Sequence, residues 1–313
     1  MPVQRRTMLF LAVLLCGFVA ALIIRYRSPS QPVRNGQTLE EWLIIYGSLH
    51  PDEANYRLKR DKAESTIREI GTNAIPFLLH WIPIQPSSLR ASIEHFANGL
   101  PGNIAQNAVI NQVITNKTPY LATQGHDGFR VLGEIGAPAI PRLVEIANAA
   151  NPFRAATNAI SALAFLGPQA FEPLAAMARY PRHPARVQAM QGLVNAAYRS
   201  SERCKAAPLI IPLVHDKSPQ IAAIALDHLF LFSNCEAAPA VVEVLIQVLA
   251  EPDPQRRKSA AYRLGAFRSN KTTVVPALRQ ALKDDDSSVR FAANQSLREI
   301  APEVLTSPEP IYP

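Results

Sequence analysis

The sequence is poor in the residues that β-sheet folds use most. It holds 13 Gly in 313 residues, and aromatic residues make up 7% of it. β-Sandwiches and β-barrels need many tight turns and aromatic strands, so both are excluded. Hydrophobic residues nevertheless make up 48% of the chain, and much of this content is Ala and Leu. Such a composition favours closely packed helices.

Motifs of enzyme chemistry are also missing. The chain has no Gly-rich phosphate loop, no HExxH, no nucleophile elbow and no CxxC metal motif. Its seven His are scattered, and the pairs 215–216 and 227–228 join His to Asp as sequence neighbours, which point apart on a helix. His126-Asp127 lies in the least regular stretch. We therefore expect a protein that is no enzyme and holds no metal or cofactor.

The net charge of +7 is concentrated at the N-terminus. Residues 1–35 contain five Arg and no acidic residue, which leaves 27 basic and 25 acidic side chains in residues 36–313. Long-range electrostatic attraction to nucleic acid needs a basic folded region. The nearly neutral remainder predicts that this protein does not bind nucleic acid.

Residues 8–24 are apolar and uncharged. As a helix they span about 26 Å at 1.5 Å per residue, slightly less than the hydrocarbon core of a bilayer. The apolar run continues past a cleavage site after Ala21, which favours an uncleaved membrane anchor over a cleaved signal peptide. Lipidation at Cys16 is the third alternative. A short N-terminus usually stays inside, so we expect a single-pass protein with its folded region on the extracytoplasmic side.

A short phrase recurs along the chain. Residues 71–78 (GTNAIPFL) return as 136–143 (GAPAIPRL), with looser copies at 167–174, 206–213 and 271–278. Each copy joins a turn of small residues to a Pro in the first helical turn and a Leu shortly after. Self-similarity at about 30–40 residues is typical of a helical solenoid.

The sequence therefore predicts an all-α fold, a right-handed α-solenoid of about eight helix pairs over residues 38–301. Residues 1–27 form the anchor or signal segment, 28–37 a polar linker, and 302–313 a disordered Pro-rich tail. Thr38 and Glu41 match a capping box. The predicted pairs are 40–47 with 52–70, 73–84 with 87–99, 103–116 with 119–135, 138–149 with 152–166, 169–180 with 183–199, 206–215 with 218–232, 237–250 with 254–267, and 272–283 with 286–300.

The last pairs resemble a known family. Residues 283–293 (KDDDSSVRFAA) and 251–261 (EPDPQRRKSAA) resemble the HEAT-repeat consensus, and 215–223 is similar but has Gln220 where Arg is expected. The resemblance is to HEAT-like α-solenoids, here of a membrane-anchored bacterial type. It implies that an Asp and an Arg stabilise the turn and the neighbouring repeats. The residues it points to are Asp253 with Arg257 and Asp286 with Arg290.

Two cysteines occupy equivalent places in adjacent repeats. Cys204 and Cys235 each open the same phrase, 204–208 and 235–239, 31 residues apart. They are either two thiols filling equivalent positions or a disulfide, which an oxidising compartment would favour. Equivalent positions of stacked helices lie about 10 Å apart, beyond the Cα–Cα reach of a disulfide. Only local turn geometry could close that gap.

These features predict a membrane-tethered, non-enzymatic scaffold that binds a protein or peptide partner on its concave face. Two other functions remain open: a chromophore- or small-molecule-binding protein similar to phycobilin lyases, and a nucleic-acid-binding protein similar to HEAT-like DNA glycosylases. Basic residues cluster at two turns and are the candidate partner-binding residues: Arg179, Arg182, Arg186, Arg256 and Arg257.

Overall fold

A computed structural model describes residues 31–48, 55–84, 118–149 and 153–306, and these are mostly helical. The apolar segment 8–24, the helices predicted at 87–99 and 103–116, and most of the predicted tail lie outside the described residues. Among the helices that are described, none combines the length and the apolar composition needed to cross a bilayer.

A β-hairpin precedes the first helix. Strand β1 (Val33–Arg34) pairs antiparallel with β2 (Gln37–Thr38). Asn35 and Gly36 join them with φ of 52° and 79°, the positive values that a type I′ hairpin turn requires. The sequence predicts a linker without a fold over 28–37, whereas its last residues form this hairpin. The Asn-Gly turn and a hydrogen bond from Trp42 Nε1 to the Arg34 carbonyl, 2.9 Å long, explain the difference.

The predicted capping box starts the first helix pair. The Thr38 N–H donates to Glu41 Oε2 at 2.7 Å, and the Glu41 N–H donates to Thr38 Oγ1 at 3.3 Å. Helix α1 (Leu39–Ser48) follows, and α2 (Tyr56–Ile70) packs against it. Gly71 ends α2 with a φ of 59°, a conformation that glycine adopts at low cost.

Six more helix pairs follow in the described residues. They are α3 (Ile75–Trp81) with α4 (Thr118–Leu132), α5 (Ile140–Asn148) with α6 (Phe153–Leu163), α7 (Phe171–Arg179) with α8 (Arg186–Arg199), α9 (Ala207–Ile210) with α10 (Pro219–His228), α11 (Ala238–Leu249) with α12 (Pro254–Leu264), and α13 (Lys271–Ala281) with α14 (Ser287–Ile300). The short helix α15 (Glu303–Thr306) comes last. Odd-numbered helices up to α13 are the first helices of their pairs, and even-numbered helices are the second.

The first helix of the predicted second pair and the second helix of the predicted third pair contact each other, because α4 packs directly on α3. Their predicted partner helices at 87–99 and 103–116 lie outside the described residues, so the predicted number of eight pairs stays a prediction. A Cβ on Gly128 would stand 2.3 Å from Leu78 Cδ2, and one on Gly125 would stand 3.2 Å from the Leu78 carbonyl. The glycines that suggest an interruption in the sequence therefore let two helices approach closely.

The recurring phrase starts the first helices. Short 3₁₀ turns precede them, among them Gly71–Ala74 before α3, Gly133–Ala139 before α5 and Arg203–Ala206 before α9. A Pro stands in the first turn of α3, α5 and α9, where its missing N–H costs no hydrogen bond. The Leu of each copy is buried: Leu78, Leu143, Leu174, Leu213 and Leu278. The phrase therefore has a structural role, as its regularity predicts.

One hydrophobic core runs along all seven pairs, from Leu39 in α1 to Ala301 after α14. Ala residues of the second helices are buried where neighbouring pairs meet, as Ala156 and Ala159 are in α6. Trp42 and Trp81 are buried within the N-terminal part of this core. The continuous core is the packing expected of a solenoid, in which each pair covers the next.

Candidate functional site

Acidic side chains recur at one position in the turns between first and second helices. Asp216, Glu251 and Asp284 each stand two residues before the residue that caps α10, α12 or α14. Each of the three carboxylates accepts hydrogen bonds from an arginine. These contacts form a row along one edge of the array.

Arg257 of α12 links the sixth and seventh described pairs. Its Nε and Nη2 both donate to Asp284 at 2.8 Å, and its Nη1 donates to the Glu251 and Pro252 carbonyls at 3.0 and 2.8 Å. The guanidinium holds the pKa of the Asp284 carboxyl below its ordinary value. The resemblance to HEAT repeats pairs Arg257 with Asp253, whereas Asp253 caps α12 by accepting from the Gln255 N–H at 2.9 Å.

Asp286 and Arg290 act on one turn but do not touch each other directly. Asp286 caps α14, accepting from the Ser288 N–H at 2.8 Å, and the hydrogen bonds from Ser288 lower its pKa. Arg290 Nη1 donates to the Asp284 and Asp285 carbonyls at 2.7 and 2.9 Å. The turn is therefore fixed by a cap at one end and an arginine at the other.

Arg186 makes the equivalent link between the fourth and fifth pairs. It forms a salt bridge with Asp216, and its Nε donates to the Ala178 carbonyl at 2.6 Å. The two charged side chains are only 15% and 13% exposed. Arg186 therefore stabilises the contact between the fourth and fifth pairs.

The joint between the fifth and sixth pairs lacks this arginine. In α10 the position equivalent to Arg257 holds Ala222. It lies two residues after Gln220, which stands where the HEAT-repeat consensus has Arg. Glu251 instead binds Arg256 of its own pair, whose Nη2 also donates to the Val214 carbonyl at 3.0 Å. The hydrogen bond that Arg256 donates to Glu251 raises the pKa of Arg256 above its ordinary value.

The candidate partner-binding arginines therefore fall into two groups. Arg186, Arg256 and Arg257 are bound within the protein. Arg179 and Arg182 are exposed, and Arg179 Nη2 donates to the Leu209 carbonyl at 3.4 Å. Charge clustering in the sequence does not separate the two groups, because the acidic partners of Arg186 and Arg257 lie about 30 residues further along the chain.

Cys204 and Cys235 form a disulfide between the fifth and sixth pairs. Their Cα atoms are 5.4 Å apart, well below the spacing of stacked helices. The reason is local: Cys204 lies in the 3₁₀ turn before α9 and Cys235 in the turn before α11, where the chain can approach its neighbour more closely than helix axes do. The bond spans the same joint that lacks the linking arginine.

A row of polar side chains runs across the second helices, on the side opposite the core. Each member stands two residues before a fully buried Leu, a spacing of about 200° around a helix. The members are Ser161, Gln191, Asp227, Tyr262 and Gln295, followed by Leu163, Leu193, Leu229, Leu264 and Leu297. We call these five polar residues the polar row. The sequence analysis missed it, although polar-x-Leu at repeat spacing was visible in the sequence.

One hollow along the polar row has a volume of about 530 Å³ and lies between α10 and α12. We call it the Tyr262 groove. Ser259 Oγ donates to Asp227 Oδ1 at 2.6 Å, and Arg263 Nη2 donates to the same oxygen at 3.3 Å. Arg263 also lies 5.4 Å from the centre of the Phe230 ring. These contacts hold the charged groups of the groove in place.

Two adjoining hollows of about 400 and 200 Å³ lie at the other end of the polar row and share His126 and Ser161. We call them together the His126 groove; α4, α6 and α8 form it. Phe165 lines the smaller hollow, with the His126 ring edge-on at 5.0 Å and the Arg199 guanidinium 4.9 Å from its ring centre. Arg154 lines the larger hollow.

The described histidines that stand next to an aspartate in the sequence make other contacts, and His215 Nδ1 lies 3.4 Å from Glu251 Oε1. His126 Nδ1 is 3.5 Å from Asp127 Oδ1, longer than a hydrogen bond. His228 Nδ1 contacts the Ile224 carbonyl at 2.8 Å, while Asp227 binds Ser259. Over the described residues no group of three His, Cys, Asp or Glu side chains could hold a metal. The polar row and its grooves present side chains that can form hydrogen bonds with a ligand.

Comparison with known proteins agrees with this repeat architecture at the C-terminal end. Residues 242–308 match the family model of HEAT repeats. The match covers most of α11 and all of α12, α13 and α14, the two pairs in which Arg257 joins Asp284. A search of curated proteins finds no significant sequence match.

Solved structures with a similar course of the chain are distant in sequence. YibA of Escherichia coli is 17% identical with a TM-score of 0.40, over 71% of this chain and 79% of YibA. Computationally designed armadillo repeat proteins for modular peptide recognition are 15% identical with a TM-score of 0.41, over 84% and 99%. A chain of the Kap95p–RanGDP complex is 13% identical with a TM-score of 0.44, over 84% and 40%. At this similarity no functional conclusion is drawn from them.

Proposed function

We propose that this protein is a non-enzymatic scaffold that binds an extended peptide segment of a protein partner along the polar row. The polar row carries the proposal: hydroxyl, amide, carboxylate and phenol groups recur once per pair on the same side of successive second helices. A peptide backbone presents donors and acceptors at regular intervals, and such side chains can pair with them.

The spacing suits an extended chain. Packed helices lie about 8–10 Å apart, and an extended peptide rises about 3.3 Å per residue. One side chain of the polar row therefore meets the peptide about every three residues. The stretch from α6 to α12 crosses three such intervals, so we expect a bound segment of about nine residues.

The membrane tether belongs to the same proposal. Its support is the apolar sequence of residues 8–24, which would hold the groove near a bilayer on the extracytoplasmic side. A scaffold in that position would concentrate its partner at the membrane surface, because tethering raises the effective concentration of a binding site.

Selection of displayed random 12-residue peptides on the full-length chain tests peptide binding. We expect enriched peptides to lose about tenfold or more in affinity when Tyr262→Ala or Gln191→Ala is introduced, since truncated interface side chains that matter cost more than 1 kcal/mol. Fluorescence anisotropy of labelled peptides measures the change.

Gln247→Ala is the matched control. Gln247 is an exposed glutamine like Gln191 but lies on the first helix α11, away from the polar row. The Gln247→Ala variant should bind the enriched peptides with the same affinity as the unchanged protein. Absence of any enriched peptide, or equal losses in Gln191→Ala and Gln247→Ala, contradicts the proposed function.

A further inference from the structure

We propose that the His126 groove binds an anionic side chain of the partner, a carboxylate or a phosphoryl group, between Arg154 and Arg199. The inference rests on the proposed function and adds the chemistry of one subsite. It makes the N-terminal end of the polar row the place where an acidic or phosphorylated residue of the peptide is recognised.

Two arginines line the groove without an acidic neighbour in its described lining. Among the described residues, the two hollows are lined by Arg154 and Arg199 but by no Asp or Glu. In the part of the chain that the structure describes, neither Arg154 nor Arg199 forms a salt bridge. Asp127 does not line either hollow, but its Oδ1 lies 3.5 Å from His126 Nδ1, so the positive charge of the groove is that of the two arginines.

The side chains of Arg199 and His126 are held in place by Phe165. Phe165 is half-buried, and its ring supports the Arg199 guanidinium at 4.9 Å and the edge of the His126 ring at 5.0 Å. A cation over an aromatic face is stabilised without losing its N–H donors at the rim. Arg199 can therefore donate to an anion in the groove, and the planar guanidinium suits carboxylate and phosphate oxygens.

Neutral donors complete the site. Ser161 is exposed and lines both the hollow that contains Arg154 and the hollow that contains Arg199. Asn158 is fixed beside it, since its Nδ2 donates to the Ile82 carbonyl at 3.2 Å. The arrangement offers charge and hydrogen bonds to one small anionic group.

The Tyr262 groove shows the contrast. Its lining also contains arginines, but it includes Asp227 and Asp253 as well. Arg263 is bound to Asp227 and Arg256 to Glu251. The positive charge of the Tyr262 groove is therefore balanced by carboxylates of the protein itself. Of the two grooves, the structure assigns the anion preference to the His126 groove.

The experiment uses peptides selected on the full-length chain. One enriched acidic peptide is compared with its amide counterpart, in which Asp and Glu become Asn and Gln, and with a phosphoserine version. The amide peptide should bind at least about tenfold more weakly, because a hydrogen bond to a charged group is being lost. Stronger binding of the phosphoserine peptide identifies phosphate as the preferred anion, and stronger binding of the acidic peptide identifies carboxylate.

Charge-matched variants locate the effect. Arg154→Gln with Arg199→Gln should abolish the preference for the anionic peptides. Arg203→Gln with Arg268→Gln removes the same charge from exposed 3₁₀ turns and should keep it. Three outcomes would contradict the anion subsite but not peptide binding. They are enriched peptides that contain no acidic residue, equal affinity for the acidic and amide peptides, and equal effects of the two variant pairs. No enrichment at all overturns both.

Discussion

Arg182 and Arg186 belong to one basic cluster in the sequence but serve different purposes. Arg186 is mostly buried in its salt bridge with Asp216, whereas Arg182 is exposed. Removing one partner of a buried pair leaves the other charge uncompensated. We therefore expect Arg186→Ala to lower the free energy of unfolding by about 2–4 kcal/mol.

Arg182→Ala should change stability by less than about 0.5 kcal/mol, as exposed substitutions without contacts do. Urea unfolding followed by circular dichroism measures both. A double-mutant cycle with Asp216→Ala should show strong coupling for Arg186 and none for Arg182. Equal effects of the two single variants would contradict the assignment of Arg186 to the joint.

His183 makes stability depend on pH. Only 8% of it is exposed, and its Nδ1 accepts from the Ala185 N–H at 3.2 Å, so the folded protein holds it neutral. Burial lowers its pKa below the ordinary 6.5, although the Ala147 backbone opposes this. The unfolded chain therefore binds a proton first as pH falls below about 6.5.

We expect the melting temperature to fall between pH 7 and pH 5, with the loss ending once pH passes below the folded pKa. His183→Gln should flatten this slope, and His80→Gln, at an exposed position, should leave it unchanged. Calorimetry at several pH values checks the slopes. A slope that His183→Gln does not alter would rule out this histidine as its source.

Among the elements, the disulfide spans the joint that lacks the arginine at the turn position. The joint between the fifth and sixth pairs has Ala222 where the next pair has Arg257, and Cys204–Cys235 spans it with a sequence separation of 31. A loop of that size restricts the unfolded chain by about 3–4 kcal/mol in the chain-entropy model. Reduction should lower the free energy of unfolding by about that amount.

Denaturant unfolding with and without a reducing agent measures this contribution. Cys204→Ser with Cys235→Ser should match the reduced protein, and Cys16→Ser, which removes the third cysteine, should behave like the unchanged chain. A native oxidised protein in which both Cys204 and Cys235 react as free thiols would contradict the bond.

Sequence patterns predict those elements whose causes are local. The capping box at Thr38 and the burial of the phrase leucines follow from neighbouring residues, and both are confirmed. Gly125 and Gly128 suggest a break because glycine disfavours an isolated helix, but their effect depends on Leu78 of another helix. The cysteine spacing left the disulfide open, because the distance between stacked helices does not apply to the turns that hold Cys204 and Cys235.

For the whole molecule, the sequence predicts a helical solenoid but not the features that select a partner. The repeat period and the content of small residues can be read from the sequence alone, so both predict the solenoid. The His126 groove brings together α4, α6 and α8, whose residues are scattered over about 70 positions. Whether an arginine of the groove has an acidic neighbour depends on how α4, α6 and α8 pack together.

The disulfide also determines how the molecule responds to tension. If the array were pulled by its ends, for instance between a membrane and a bound partner, force would pass directly from Cys204 to Cys235, whose Cα atoms are 5.4 Å apart. The intervening 31-residue stretch would carry no load and would add nothing to the extended length, a reduction of about 100 Å at 3.3–3.6 Å per residue. Oxidised, α10 is mechanically shielded; reduced, the same helix lies in the path of the force.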